Sequence, residues 1–103
     1  MRARNAGKDA VKARTVWAAV TAWTMAMARQ VAPSVRDFTI VTRSNDGTVT
    51  VGKSYTDRRV AFAQRTRLEN AAGCNVYVVT LADGRLKVFT GPKARPLAIQ
   101  VSP

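Results

Sequence analysis

Two Asp-Gly dipeptides, Asp46-Gly47 and Asp83-Gly84, each stand between runs of alternating β-branched or aromatic residues, and they constrain the fold more than any other feature. A tight turn between antiparallel strands needs positive φ at its central positions, which Asp and Gly tolerate and most residues resist. The spacing therefore predicts two β-hairpins. In the first, Asp37 to Arg43 pairs with Thr48 to Lys53. A two-residue Asp46-Gly47 turn sets Ile40, Thr42, Val49 and Val51 on one face and Val41, Arg43 and Thr50 on the other. In the second, Asn75 to Leu81 is the leading strand, and Asp83-Gly84 sets Leu81 against Leu86, Val79 against Val88 and Tyr77 against Thr90. Val78, Thr80, Lys87 and Phe89 then form the outer face.

The stretch between the hairpins, Ser54 to Gly73, reads as a helix. Thr56 is its expected N-cap, and Asp57 puts negative charge in the first turn, where free amide groups favour it. Gly73 can take the left-handed conformation that stops it. At about 100° per residue, Val60, Ala61, Leu68, Ala71 and Ala72 fall on one side, and Arg58, Phe62 and Arg65 on the opposite one. A further helix is expected near the start. Thr15 to Ala28 carries no charge, and Val16, Val20, Trp23, Met27 and Val31 recur at helical spacing with Trp17 at the edge of the stripe, before Pro33 breaks it.

The expected fold is α+β with element order α-β-β-α-β-β. It has a four-stranded antiparallel sheet of two Asp-Gly hairpins, and both helices cover the face of Phe38, Ile40, Val49, Val51, Tyr77, Val79, Leu86 and Val88. One globular domain results, made of a basic arm and Trp-containing helix (1–32), a ββαββ unit (37–90) and a Pro-rich linker with an extended tail (91–103). In that tail Leu97, Ile99 and Val101 alternate with polar or small residues. They read as an edge strand of the same sheet, a strand offered to a neighbouring subunit, or a flexible end. From Asp37 onward the chain resembles small bacterial and phage ββαββ domains of unknown function. The resemblance is carried by Ser54, Thr56, Ala63, Leu68, Ala71, Gly73, Val78, Val79, Asp83, Gly84 and Arg85. It implies a hairpin, a capped Ala-rich helix and a second hairpin, and no active site comes with it.

Seventeen Lys and Arg against six Asp and Glu give a formal net charge of +11 over 103 residues. Charge of that size bears on partners rather than fold, and its usual counterpart is nucleic acid or another anionic macromolecule. A coding bias toward Arg would enrich acids about as readily, yet acids are scarce. There is no His, which removes the commonest general base and metal ligand, and the single Cys74 supports neither an intramolecular disulfide nor a zinc site. Cys74 beside an apolar strand reads as a small buried hydrophobe. Asp46 and Asp83 could face one end of the sheet and hold Mg²⁺, but turn chemistry already accounts for both. The expectation is therefore a protein that is not an enzyme, with no catalytic residue, metal or cofactor.

Two surfaces are candidates for the anionic partner. One is the outer side of the central helix, with Arg58, Arg59, Phe62 and Arg65, where cations meet phosphates and the aromatic ring stacks or wedges. The other is the outer sheet face, with Arg43, Lys87 and Phe89, as a stacking platform. The alternative function is a non-enzymatic phage accessory or virion protein that binds an acidic protein or forms homo-oligomers. Its interface would use Trp17, Val20, Trp23 and Met27 together with Leu97, Ile99 and Val101. The uncharged run is shorter than the roughly 20 residues a membrane span needs, so a membrane role is not expected. A cytoplasmic location fits the free cysteine. Ala26-Met27-Ala28 after a basic start also permits secretion with cleavage after Ala28, and a place in a virion is the third possibility.

Overall fold

The computed structural model describes residues 22–72 and 74–102. Helix α1 spans Met25–Val31, a 3₁₀ turn spans Ala32–Ser34, and strands β1 (Phe38–Arg43) and β2 (Val49–Tyr55) follow. Helix α2 spans Arg58–Ala72, and strands β3 (Asn75–Ala82), β4 (Arg85–Phe89) and β5 (Leu97–Gln100) complete the order. The strands form one antiparallel sheet in the order β2-β1-β3-β4-β5. The class is α+β, but the sheet has five strands rather than four. The C-terminal segment closes an edge of its own sheet, with Leu86 opposite Ile99 and Val88 opposite Leu97.

The helices lie on opposite faces, which corrects the expectation of one covered face. Trp23, Ala28 and Val31 pack on Val41, Tyr77, Val79, Leu86 and Val88, flanked by Val49, Val51, Leu97, Ile99 and Val101. Ala61 and Phe62 of α2 pack on Ile40, Val76 and Val78 from the other side, flanked by Phe38, Leu68, Cys74 and Phe89. The central strand β3 is therefore buried from both sides, with Val76, Tyr77, Val78 and Val79 each at most 2% exposed.

The first hairpin departs from the two-residue turn. The Ser44 amide donates to the Thr48 carbonyl at 2.9 Å and the Gly47 amide to the Ser44 carbonyl at 3.0 Å. Gly47 has φ +89° while Asp46 keeps negative φ, so the loop is the three-residue kind with a left-handed glycine at its end. One extra loop residue moves the register by one, to Val41 opposite Val51 and Arg43 opposite Val49. Val49 and Val51 thereby move to the face of Val41, away from Ile40. A bulge between Thr39 and Val41 on the β1–β2 ladder then brings Phe38 opposite Tyr55. The second hairpin keeps the expected form, with positive φ at both Asp83 and Gly84, Leu81 opposite Leu86 and Val79 opposite Val88. Because β1 and β3 run antiparallel, the two hairpin turns lie at opposite ends of the sheet, and Asp46 and Asp83 do not share an end.

Helix α1 is shorter than the uncharged run suggests. Thr24 caps it, its hydroxyl accepting from the Met27 amide at 3.1 Å, so Trp23 precedes the helix rather than riding on it. Cleavage after Ala28 would divide α1 and take Trp23 and the fully buried Ala28 out of this core. The basic arm, Trp17 and Val20 lie outside the described residues. Among the described residues, no helix is long and apolar enough to cross a membrane.

Entry into β1 depends on one buried hydroxyl. Asp37 takes a left-handed φ of +52°, and Thr39, fully buried, brackets it. The Thr39 hydroxyl accepts from the Arg36 amide at 2.9 Å, donates to the Arg36 carbonyl at 2.8 Å and takes a bond from the Ser54 hydroxyl at 2.8 Å. Thr39→Val keeps the shape and removes the bonds to Arg36 and Ser54, whose groups can turn to water, so it should cost about 0.5–1.5 kcal/mol in urea unfolding. The Asp46 carboxylate accepts from the Ser44 hydroxyl and from the Thr48 amide, which lowers its pKa from 3.8 to about 2. A depressed acid stabilises the fold above its ordinary pKa and loses that contribution as pH falls from about 4 through 2. Asp46→Asn should flatten the dependence of the melting temperature on pH in that window.

Candidate nucleic-acid interface

Asp57, not Thr56, caps helix α2: its carboxylate accepts from the Arg59 amide at 2.9 Å, and its carbonyl accepts from the Ala61 amide at 3.1 Å. Packing on the sheet shows which side of the helix turns inward. Ala61 and Phe62 turn inward, Leu68 is partly buried, and Val60, expected in the core, is 47% exposed. Ala71 is exposed as well. The division of the helix into a core face with Val60 and Ala71 and a binding face with Phe62 and Arg65 is thus corrected. The inward stripe is Ala61, Phe62, Arg65 and Leu68.

Phe62, 5% exposed, meets Phe89 of β4 edge to face, with ring centroids 5.7 Å apart and planes at 89°. The Arg58 guanidinium lies 5.2 Å from the Phe62 centroid and 5.5 Å from that of Phe89. Such a cation over two aromatic faces is held in place by the ring quadrupoles. Arg58 also reaches the Pro92 carbonyl, at 3.5 Å. Arg65, expected at the binding surface, is drawn inward: its side chain is 11% exposed, pairs with Glu69 one turn on, and donates to the Val76 carbonyl at 3.2 Å. Arg65 thus ties α2 to β3, and Phe62 is enclosed in the core. Arg58 and Arg59 stay exposed.

The second candidate surface divides. Strand alternation puts Arg85, Lys87 and Phe89 on the α2 side of β4, with Thr80 beside Lys87 on β3 and Ala98 and Gln100 beside Lys87 and Arg85 on β5. Arg43 lies on the α1 side, next to Tyr77. There burial pushes the Tyr77 phenol above its ordinary pKa of 10.0, although the neighbouring Trp23 indole N–H and Arg43 favour its ionised form. Trp23 and Tyr77 pack edge to face at 5.4 Å. Arg43 is thus separated from Lys87 and Phe89 by the sheet.

Lys87 and Phe89 join Arg58 and Arg59 on one surface instead. Helix α2 packs over β1, β2 and β3. Among the described residues no helix covers the β4–β5 half of that face: Arg85, Lys87, Ala98 and Gln100 are exposed, and Arg85 is steadied by the Gln100 amide oxygen at 3.3 Å. Among the described residues, no acid occupies a strand position on this face. Lys93 and Arg95, exposed in the loop between β4 and β5, add charge beyond Phe89. The sequence signal for this surface was the Arg85-x-Lys87-x-Phe89 alternation, where one strand face carries two cations and an aromatic.

The residues expected at an oligomer interface have other roles among the described residues. Trp23 is a core side chain, and Met27, Leu97, Ile99 and Val101 pack against the α1-side core. Comparison with protein families, curated proteins and solved structures finds no match to this chain.

Two substitutions separate the buried parts of the site from the exposed ones. Phe62→Ala should cost about 3–5 kcal/mol of stability through the cavity it opens between α2 and β4, whereas Arg59→Ala should stay within about 0.5 kcal/mol. Chemical denaturation of both variants reads the difference.

Proposed function

We propose that this protein binds nucleic acid through phosphate contacts with little sequence readout. The observation that carries the reading is the exposed β4–β5 half of the α2-side sheet face, which no helix covers among the described residues and which the first turn of α2 borders. Arg58, Arg59, Arg85 and Lys87 stand along it without an acid between them on the strands. Exposed cations on a flat surface gain affinity by releasing the counterions condensed on a polyanion, a contribution independent of sequence. The guanidinium side chains are suited to phosphate in particular, since their planar forks pair two oxygens at once. Phosphate contacts of this kind carry no sequence information directly, which is the basis for expecting weak readout. The alternative reading, an accessory or virion protein assembling through the Trp stripe and the C-terminal strand, is less well supported. Trp23 and Leu97, Ile99 and Val101 already serve this chain's own core.

The reading makes a measurable statement about salt. Affinity for a mixed-sequence oligonucleotide should fall steeply and log-linearly with salt. Arg59→Glu and Lys87→Glu should each weaken binding to all sequences alike, lowering the salt slope by about 0.7–0.9 per contact removed. Arg65→Gln should instead lower thermal stability, because Arg65 faces Glu69 and Val76. Affinity indifferent to salt, or charge reversal without effect, would set the proposal aside.

A further inference from the structure

A cleft of about 330 Å³ opens between the first turns of α2 and the loop after β4, lined by Arg58, Arg59, Phe62, Ala63, Thr66 and Pro92. Its volume is at the lower end of the roughly 300–1,000 Å³ typical of small-ligand sites. Apart from the two arginines, the cleft offers little polarity. The Thr66 hydroxyl already donates to the Phe62 carbonyl at 3.1 Å, and Ala63 and the Pro92 ring contribute apolar surface. At the helix start the Arg59 amide is already taken by the Asp57 carboxylate. A free phosphate would therefore meet the two guanidinium groups and otherwise a mostly apolar lining. A planar, largely apolar ring bearing a phosphate nearby would fit both parts.

We infer that this cleft receives one unpaired nucleobase, stacked against the Arg58 guanidinium, while the flanking phosphates lie on Arg59 and toward Lys87. The inference rests on the phosphate-binding reading above and deepens it, making the ligand a single strand rather than a duplex. Arg58 is prepared for this role. Its Cζ lies 5.2 and 5.5 Å from the Phe62 and Phe89 ring centroids, and the Pro92 carbonyl lies within reach of its Nη2, so the side chain is held before a base arrives. A base in a duplex has both faces covered by its neighbours, so only an unpaired one can be turned out into a cleft at little cost. Stacking of this kind accepts any base, which agrees with weak sequence readout.

The test compares three probes of equal length on the intact chain: a single-stranded oligothymidylate, the same deoxyribose-phosphate chain without bases, and a duplex. The oligothymidylate should bind about 5- to 150-fold more tightly than the abasic chain, and the duplex should bind no better than the abasic chain. Ala63→Leu, which fills the cleft without altering charge, should close that gap and leave the abasic affinity unchanged. Its melting curve by circular dichroism shows that the fold is intact. Equal affinity of the wild-type chain for the abasic and thymidylate probes overturns the base cleft and leaves the phosphate reading standing. The same holds if the duplex binds best, or if the gap persists in Ala63→Leu. If none of the three probes binds at low salt, the phosphate reading fails and the cleft inference fails with it.

Discussion

The rest of the structure depends on β3 being buried from two sides. Val76, Tyr77, Val78 and Val79 are four consecutive core residues, alternately facing α2 and α1. A strand in that position cannot alternate apolar with polar, because both of its faces must be dry. Once β3 is central, a hairpin on each side and a helix on each face are the arrangement that covers it. Both cores then meet on a single strand, so a large cavity on either side of β3 weakens the support that the other helix packs against.

Two-sided burial also explains how the candidate site is arranged. A helix is about 10–12 Å across and neighbouring strands are about 4.8 Å apart, so one helix covers two or three strands of a five-stranded sheet. Helix α2 lies over β1, β2 and β3, and where it stops the strand residues change from Ile40, Val76 and Val78 to Thr80, Arg85 and Lys87. Phe89 sits at the boundary. It packs edge to face on Phe62 at the margin of the core and carries Arg58 above both rings, so that charge at the surface is held by aromatic packing below it. The α1 side differs, since apolar residues continue across its full width from Val51 on β2 to Ile99 on β5. The amphipathic character of β4 and β5, with Leu86, Val88, Leu97 and Ile99 inward and Arg85, Lys87, Ala98 and Gln100 outward, is what leaves the α2 side open.

Much of this was legible in the sequence, and the misreadings share a cause. The second hairpin, with its register, followed from Asp83-Gly84 because both residues take positive φ. The first did not, because Asp-Gly is equally compatible with a three-residue loop in which only Gly47 turns left-handed, and the dipeptide does not distinguish the two. That single residue exchanged the faces of Val49 and Val51 and made one covered face look sufficient. The unbroken run from Val76 to Val79 was the signal for helices on both sides. Alternation within the other three expected strands outweighed it. The inward side of α2 was set by packing, with Phe62 against Phe89 and Val60 left outside, which the helical wheel alone does not choose. Arg65 lay beyond reach of any wheel diagram, since a charged residue on an inward stripe is recognised only once Glu69 and the Val76 carbonyl are seen beside it.

The same packing bears on how a chain with net charge +11 tolerates its own cations. Like charges on one surface repel, and each is better tolerated where it is solvated or has a fixed partner. Arg65 resolves this by pairing with Glu69, and Arg58 by resting on two aromatic faces. Arg59, Arg85, Lys87, Lys93 and Arg95 remain exposed, with Arg59, Arg85 and Lys87 on the α2 side. Bringing a polyanion to that side relieves their mutual repulsion without moving the backbone, because the strands beneath are fixed by the α1-side core. Binding through such a surface therefore adds stability to the fold it rests on. By linkage, a polyanion that neutralised more of these positions at once would stabilise the native chain more.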